Sequence, residues 1–466
     1  MKRTIPGALC ALIGALGCGG DDTDSREDKG CSVTAQSGCA LGQVCEEVEG
    51  GNPACYAPVT FSGKVADLTN SKPIANAHVV ARDANNAAVS HVALSGPDGV
   101  YKLQVPAKRD KSGKPVQVSY TLRADASGYN TFPQPPREAV PIDVSTATGT
   151  PLDVNSAATD IGLLAVPDAG TLGRVSGKVL ADFPGGTLVV AGGATGVADF
   201  DGTYTVFNVP AGDRQVSGYA AGLQLAPATA KVTAGAETPN VDLALKGAAT
   251  AVVSGKVDIV NPGDGKDTSV ILVVEETFAG LEKENGASLR GEAPRGLREA
   301  GVSGEFSIKD VPDGKYVVLA AFENDFLVRD PDTSIGGTEI VHITVAGNSL
   351  PIAEGFKVTG ALGVKSPGAT KLEEVSGTPT FSWEDDSSED HYELRVYDAL
   401  GNKIWEDDAV PGVSGSDTVS ATYAGPALKP GMIYQFRATS IGKSSGGKPA
   451  TPISQTEDLR GVFIYK

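Results

Sequence analysis

The sequence predicts a mainly β protein in which tandem β-sandwich modules follow a small disulfide-stapled N-terminal segment. The chain has 466 residues, which is too long for one small core and enough for several domains. Its 58 glycines and 29 prolines, with only 6% aromatic residues, are typical of turn-rich β structure rather than of helical bundles. From residue 59 onward, short alternating apolar runs bounded by Gly or Asp recur, and each run has the period of a strand.

Residues 1–18 have the pattern of an export signal. Lys2 and Arg3 precede the apolar stretch "IPGALCALIGALG", whose 13 residues are too few to span a bilayer. The stretch ends in "ALGC", which resembles the lipobox of bacterial lipoproteins. That resemblance implies lipidation of Cys18 and anchoring of the exported chain in the bacterial cell envelope, at the outer membrane. An ordinary secretory signal is the alternative.

A tether and a cysteine-rich segment follow the signal. Residues 19–30 are charged and glycine-rich, so we expect a disordered polar tether. Residues 31–57 carry Cys31, Cys39, Cys45 and Cys55, an even number that predicts two disulfides in an exported protein and leaves three pairings open. Zinc is disfavoured because seven, five and nine residues separate the cysteines, with no histidine between them.

Two signatures recur three times between residues 58 and 363 and divide this part of the chain into three modules, 58–167, 173–247 and 250–363. The first is "SGKV", which begins at Ser62, Ser176 and Ser254. The second is a turn glycine followed by an aromatic residue, alternating apolar residues and Val-Pro. Its members are Gly99, Tyr101, Val105 and Pro106; Gly202, Tyr204, Val209 and Pro210; and Gly304, Phe306, Val311 and Pro312. We predict a hairpin in which the glycine has a positive φ and the proline ends the pairing.

These signatures resemble the carboxypeptidase regulatory-like domain. The second copy matches best through Pro210 and Gly212 and the third through Pro312, Gly314 and Tyr316, and the first adds "ASGY" at 126–129 together with a polar insert. The resemblance implies a transthyretin-like, Ig-like β-sandwich that is similar to carbohydrate-binding folds. It implies no peptidase activity, because this domain is the non-catalytic companion of the enzymes for which it is named.

The third module holds two polar segments that stand apart from the repeat pattern. Residues 276–301 are rich in alternating charge, and we expect a solvated loop with one or two helical turns. Residues 323–339 follow a strand and gather polar side chains on a loop, where binding residues usually lie. The candidate binding residues of this loop are Arg329, Asp330, Asp332 and Thr333.

Residues 367–466 form a fourth module of a different kind. The stretch "LKPGMIYQFRATS" from Leu428 resembles fibronectin type III domains, with Tyr434 in the place of their tyrosine corner. This resemblance implies that Trp383 is a core residue. Trp405, in "KIWEDD", is the better candidate for an exposed sugar-stacking residue. The acidic turn around Asp385, Asp386, Glu389 and Asp390 is expected to hold solvated carboxylates, and calcium binding there stays open.

Charge and motif content narrow the function. The net charge of −18 argues against nucleic acid as a partner. The four histidines lie apart and show no metallopeptidase spacing, so we expect no enzyme activity, no metal and no cofactor. Two kinds of function are compatible with this pattern. One is a membrane-anchored envelope protein whose sandwiches bind polysaccharide or act as an adhesion or presentation scaffold. The alternative is a non-catalytic subunit of an envelope or secretion complex that docks an envelope protein.

Overall fold

The structure is a computed structural model, and it describes most of the chain after the tether. The described residues are 30–33, 37–134, 137–260, 267–278, 291–323, 341–353, 355–386, 388–443, 452–457 and 459–466. The signal with Cys18, tether residues 19–29, and Arg329, Asp330, Asp332 and Thr333 lie outside the described residues. Within the described part, no helix has the length and apolar character needed to cross a membrane.

The cysteine-rich segment forms a small knob on two strands, β1 (Val44–Val48) and β2 (Ala54–Tyr56). Its disulfides join Cys31 to Cys45 and Cys39 to Cys55, which selects one of the three pairings left open by the sequence. Cys45 and Cys55 are directly opposite each other in the strand pair, so both disulfides converge on one point. The buried carboxylate of Glu46 then accepts a hydrogen bond from the buried guanidinium of Arg109, and this pair joins the knob to the first module.

The first module is a sandwich of two sheets. Its strands are β3 (Val59–Asp67), β4 (His78–Arg82), β5 (Ala93–Leu94), β6 (Val100–Val105), β7 (Lys108–Arg109), β8 (Ser119–Asp125), β9 (Ile142–Asp143), β10 (Asp153–Val154) and β11 (Ile161–Leu163). The "SGKV" strand β3 is central in one sheet and pairs with β6, β10 and β11, while the other sheet has the order β5-β4-β8-β9. Single 3₁₀ turns occupy Val144–Thr146, Ala157–Thr159 and Ala169–Thr171.

The second module repeats this plan. Its strands are β12 (Leu172–Leu180), β13 (Leu188–Ala191), β14 (Ala194–Val197), β15 (Thr203–Pro210), β16 (Gly212–Tyr219), β17 (Leu223–Leu225), β18 (Ala228–Val232), β19 (Glu237–Thr238) and β20 (Leu243–Ala248). One sheet has the order β15-β12-β20-β17, with β19 also paired to β12, and the other has the order β14-β13-β16-β18. Tyr204 and Val206 are both buried, as the two-residue period of β15 predicts.

The third module has the same two-sheet plan. Its strands are β21 (Ala251–Val260), β22 (Asp267–Val274), β23 (Arg298–Val302), β24 (Glu305–Val311), β25 (Gly314–Glu323), β26 (Val341–Val345), β27 (Leu350–Pro351) and β28 (Phe356–Thr359), with the helical turn α1 (Glu275–Phe278) after β22. The sheets are β24-β21-β27, with β28 on β21, and β23-β22-β25-β26. Of the charged segment 276–301, one helical turn is described at its start, and residues 279–290 lie outside the described part.

The fourth module is a sandwich with a different strand order. Its strands are β29 (Val364–Ser366), β30 (Glu373–Val375), β31 (Thr380–Glu384), β32 (Glu389–Asp398), β33 (Lys403–Pro411), β34 (Thr418–Thr422), β35 (Ile433–Gly442), β36 (Pro452–Gln455) and β37 (Val462–Tyr465). The sheets are β29-β31-β34 and β30-β37-β35-β32-β33, with β36 on β35. Trp383 is fully buried between them, as predicted. The Tyr434 hydroxyl accepts a hydrogen bond of 2.8 Å from the Lys429 N–H, which is the contact of a tyrosine corner.

The turn glycines of the repeats behave as predicted in two copies of three. Gly99 and Gly202 have φ values of +77° and +85°, which L-residues with a side chain rarely adopt. The carbonyls of Gly99 and Gly202 each accept a hydrogen bond of 2.8 Å, from the N–H groups of Val65 and Val179. The Gly304 carbonyl accepts the equivalent bond of 2.7 Å from the Val257 N–H, yet Gly304 does not have a positive φ. The expectation of a left-handed turn glycine is therefore wrong for the third copy, where Gly301 (φ +68°) takes that conformation instead.

Apolar residues join the modules to one another. Leu188 and Val190 of the second module belong to the core of the third. The core of the first module likewise includes Ala399, Ile433 and Val462 of the fourth. Because these side chains are buried across module boundaries, the modules pack side by side and create clefts at their junctions.

Candidate functional site

A cleft of about 670 Å³ lies between the second and third modules. We call it the inter-module cleft. One wall comes from β16, β17 and β20, and the other from α1, the turn that joins β24 to β25, and β26. Its main polar lining residues are Gln215, Ser217, Tyr219, Gln224, Lys246, Glu275, Glu276, Asp313, Lys315 and Thr344. The site therefore requires two modules.

Tyr219 is the aromatic residue of the cleft, and its position depends on Gly314 in the opposite wall. A Cβ atom at residue 314 would lie 2.8 Å from Cε1 of Tyr219, so only glycine lets the ring approach this closely. The ring also makes an edge contact with buried Tyr316, with centroids 5.9 Å apart. Burial raises the pKa of the Tyr219 phenol, with a smaller opposing effect from the Ser217 hydroxyl. The phenol therefore stays protonated and can donate a hydrogen bond to a ligand.

The carboxylates of the cleft hold its walls. Glu276 accepts a hydrogen bond of 2.7 Å from the Gly193 N–H, and Asp313 accepts one of 2.5 Å from the Gly347 N–H. Glu275 lies 3.4 Å from the ring nitrogen Nδ1 of His342. Each carboxylate thus has a structural partner, and its second oxygen can still accept a hydrogen bond from a ligand.

The two lysines of the cleft differ from these carboxylates in their exposure and in their lack of a structural partner among the described residues. Lys246 on β20 and Lys315 on β25 are exposed, and neither makes an ion pair with any described residue. Each ammonium group offers three donors. Together with the amides of Gln215 and Gln224 and the Tyr219 hydroxyl, they give the cleft a dense set of donors and acceptors around one ring.

Backbone hydrogen bonds fix the two walls relative to each other. The Ala221 N–H donates to the Arg295 carbonyl over 2.9 Å, and the Gly222 N–H donates to the Asp310 carbonyl over 2.8 Å. The Gln224 side-chain oxygen accepts from the Asp313 N–H over 2.8 Å. These bonds lie beside the cleft, so its shape is set before any ligand enters.

A buried network of charged side chains joins the first module to the second and third modules. The guanidinium of Arg123 is fully buried and contacts Asp125 at 2.6 Å, the Thr195 hydroxyl at 2.7 Å and Glu292 at 2.8 Å. Glu292 also accepts a hydrogen bond from Arg82. These residues come from the first, second and third modules, so the network joins all three at one point.

Of the predicted site residues that the structure describes, Trp405 and the four cysteines lie outside the inter-module cleft. Trp405 is half-buried on β33, with its ring 5.0 Å from that of Tyr423 in an edge contact, so part of it packs on the fourth module's core. The four cysteines form the disulfides of the knob, and the sulfur atoms of Cys31, Cys39 and Cys55 lie within 4.8 Å of one another because the two disulfides are adjacent.

The acidic turn of the fourth module is less solvated than expected. Asp386 accepts hydrogen bonds from the hydroxyls of Ser388 (2.7 Å), Ser440 (2.9 Å) and Ser454 (3.1 Å). Burial acts to raise the pKa of Asp386, and the three hydroxyls outweigh it and lower that pKa overall. This carboxylate therefore ties the turn before β32 to β35 and β36 as an ionised structural group.

Sequence reasoning missed the cleft residues because they come from two repeats that meet only in the folded chain. One signal was present at Gly314, which is the glycine of the V-P-x-G element at 311–314 in the third module and lies against Tyr219. Nothing in the repeat pattern marks Tyr219 or Thr344 as residues that meet it across the cleft.

Comparisons with known proteins give no family. No protein-family model matches the chain, and no curated protein matches it. Among solved structures, a DUF3823 family protein from Bacteroides ovatus is 12% identical, with 46% of this chain and 100% of that chain covered and a TM-score of 0.22. A candidate carbohydrate binding protein from Bacteroides uniformis is 17% identical, with 44% and 97% covered and a TM-score of 0.20. The Bacillus anthracis TIE protein is 11% identical, with 84% and 68% covered and a TM-score of 0.15. Because these scores are low, the β-sandwich fold rests on the strands described above.

Proposed function

We propose that this chain is a non-catalytic polysaccharide-binding protein of the bacterial cell envelope, held at the outer membrane by a lipid on Cys18. The inter-module cleft is the binding site. The observation that carries the proposal is the composition of this cleft, in which one tyrosine ring is surrounded by amide, hydroxyl, carboxylate and ammonium groups from two modules.

A sugar matches this composition better than an apolar ligand does. A pyranose presents hydroxyls that both donate and accept hydrogen bonds, together with C–H groups that pack on an aromatic ring. Tyr219, Gln215, Gln224 and Ser217 supply matching groups on one wall, and Asp313 and Thr344 supply more on the other.

The fixed geometry of the walls supports the same proposal. Short sugars bind weakly because each hydroxyl must exchange water for protein at little net gain. A cleft that is already formed avoids the entropic cost of ordering its own side chains and loops. The hydrogen bonds from Ala221 and Gly222 to the third module provide this preorganisation.

The experiment is co-sedimentation of the full chain with purified sacculi, chitin and other insoluble polysaccharides, alongside a Thr344→Trp variant. Thr344 is exposed on β26 and lines the cleft, so an indole at this position fills the cleft without entering a core. The matched control is Thr422→Trp, at an exposed strand threonine of the fourth module. We expect retention by at least one polymer, loss of retention in Thr344→Trp and unchanged retention in Thr422→Trp.

Two results would contradict the proposal. Retention that Thr344→Trp leaves unchanged would exclude the inter-module cleft as the binding site. A lack of retention on every polymer would favour the alternative function, a docking subunit for an envelope protein.

A further inference from the structure

A second surface with sugar-binding chemistry lies beside the inter-module cleft. Phe183 and Phe200 are large aromatic residues of the second module that remain 62% and 46% exposed. His91 of the first module packs its ring edge on Phe200 with centroids 3.9 Å apart, and it pairs with Asp199 at 2.9 Å. We call Phe183, Phe200, His91 and Asp199 the aromatic surface.

Two loops of the second module carry the phenylalanines, and a backbone hydrogen bond joins them. The Gly186 N–H donates to the Ala198 carbonyl over 2.8 Å, which places both loops at the same end of the module. The Phe200 ring lies against the backbone of Gly185, where a Cβ atom would approach the ring to 2.6 Å. Its position is therefore fixed although nearly half of it is exposed.

The polar pair on this surface is oriented. Asp199 uses one carboxylate oxygen, Oδ1, to accept from the backbone N–H of Phe200 at 2.7 Å and to contact His91. Among the hydrogen bonds that the structure describes, none is made by its second oxygen, and the two side chains are 31% and 54% exposed. An exposed acceptor and an imidazole nitrogen thus stand next to the Phe200 ring, and Phe183 lies on the adjoining loop.

This arrangement matches the two-sided chemistry of a pyranose. The rings can pack on the C–H face, while Asp199 and His91 can bond to hydroxyls at the sugar's edge. The carboxylate disfavours an acidic sugar, because two anions at this distance repel each other. The surface therefore fits a neutral glycan better than a charged one.

Arg295 connects the aromatic surface to the inter-module cleft. Its guanidinium donates to the Phe183 carbonyl over 3.0 Å, and its own carbonyl accepts from the Ala221 N–H, two residues beyond Tyr219. One residue thus touches the chain segments of both places.

We propose that the aromatic surface is a second contact site for the same neutral polysaccharide, so that long polymers engage the cleft and the surface together. This inference rests on the proposed function of the cleft. Two linked contacts raise the affinity for a long polymer without changing the affinity for a short oligosaccharide that fills only one of them.

The test measures binding of the full chain to mannan, dextran and laminarin as neutral polymers, to a tetrasaccharide of each, and to alginate as an acidic polymer. Phe183→Ala and Phe200→Ala are compared with Leu41→Ala, which removes an exposed leucine on the knob. For the neutral polymer that binds, we expect each phenylalanine variant to weaken binding at least about fivefold, as lost avidity predicts. Its tetrasaccharide should bind all variants equally, and Leu41→Ala should behave as the unchanged chain.

The outcomes separate this inference from the function of the cleft. Equal polymer binding by the phenylalanine variants and the unchanged chain, with binding lost in Thr344→Trp, would overturn the second site and leave the cleft in place. Tighter binding of alginate than of every neutral polymer would overturn the assignment to neutral glycans. Failure of all three neutral polymers to bind would overturn the second site, whereas the proposed function of the cleft fails only if sacculi and chitin also do not retain the chain.

Discussion

Gly177 lies directly opposite Tyr204 in the strand pair β12–β15, and the Tyr204 hydroxyl donates a hydrogen bond to the Val241 carbonyl. A Cβ atom at residue 177 would lie 2.1 Å from that same carbonyl oxygen. The glycine of "SGKV" thus makes room for a returning segment of chain, and the repeat's aromatic residue bonds to it. Gly63 and Tyr101 repeat the relationship in the first module, with Thr159 as the acceptor at 2.6 Å.

Gly177→Ala should destabilise the second module, because its methyl group cannot be placed without moving Val241. Overpacking of this kind costs about 1–3 kcal/mol in the free energy of unfolding. The matched control is Gly247→Ala, since a Cβ atom there meets nothing within 4 Å. Urea unfolding should give a lower midpoint for the first variant and an unchanged midpoint for the second. Equal midpoints would show that Val241 moves aside at no cost.

Tyr204→Phe should cost about 1–3 kcal/mol, because it leaves the Val241 carbonyl without its hydrogen-bond donor. The same change at Tyr101 should have a similar effect, whereas the third module already has Phe306 at the equivalent position. Thermal unfolding of both variants measures the two losses. A loss at only one site would mean that the two repeats are not energetically equivalent.

The buried network at Arg123 should hold three modules together. Arg123→Ala removes the guanidinium that pairs with Glu292 and Asp125. Breaking a buried ion pair typically lowers the free energy of unfolding by about 3–5 kcal/mol. The control is Arg174→Ala, which breaks the exposed pair with Glu237 and should cost no more than about 1 kcal/mol. Differential scanning calorimetry should show the transition broaden or split in the first variant alone. A single unshifted transition would contradict the coupling of the modules.

Asp386 should make the fourth module sensitive to acid. Its pKa is lower in the folded chain than the ordinary value of 3.8, so its stabilising effect is complete above about pH 4 and is lost as the pH falls through the folded pKa. Asp386→Asn should reduce stability at pH 7 and flatten its dependence on pH below 4. Urea unfolding measured across this pH range gives the profiles of this variant and of the unchanged chain. A profile of Asp386→Asn that runs parallel to that of the unchanged chain would contradict this account.

The sequence predicts the elements of the fold well because the period-two pattern and the turn residues act locally. Tyr204 and Val206 face the core as their spacing requires. Trp383 is buried as well, which the resemblance to fibronectin type III domains implies. The disulfide pairing could not be derived from the sequence. It depends on the strand pair that places Cys45 opposite Cys55, from which the two bonds run to Cys31 and Cys39. The positive φ was predicted for Gly304, but Gly301, three residues earlier in the same turn, adopts it instead.

The candidate site could not be predicted from the sequence for a different reason. Tyr219, Gly314 and Thr344 belong to different strands, and only the packing of the second module on the third brings them together. The sequence indicates Trp405 as the exposed aromatic residue, yet part of that ring packs against Tyr423. The exposed rings are those of Phe183 and Phe200, which lie on turns between strands. The repeat pattern marks such turns as part of the fold and gives no sign that a ring on them is exposed.

Hydrogen–deuterium exchange of the full chain, with and without a retained polysaccharide, tests the central claim most directly. If the polymer lies in the inter-module cleft, the added protection should fall on β16 (Gly212–Tyr219) and β26 (Val341–Val345), which form opposite walls. The fourth module should exchange as before. Protection confined to the fourth module, with both of these strands unchanged, would contradict the claim.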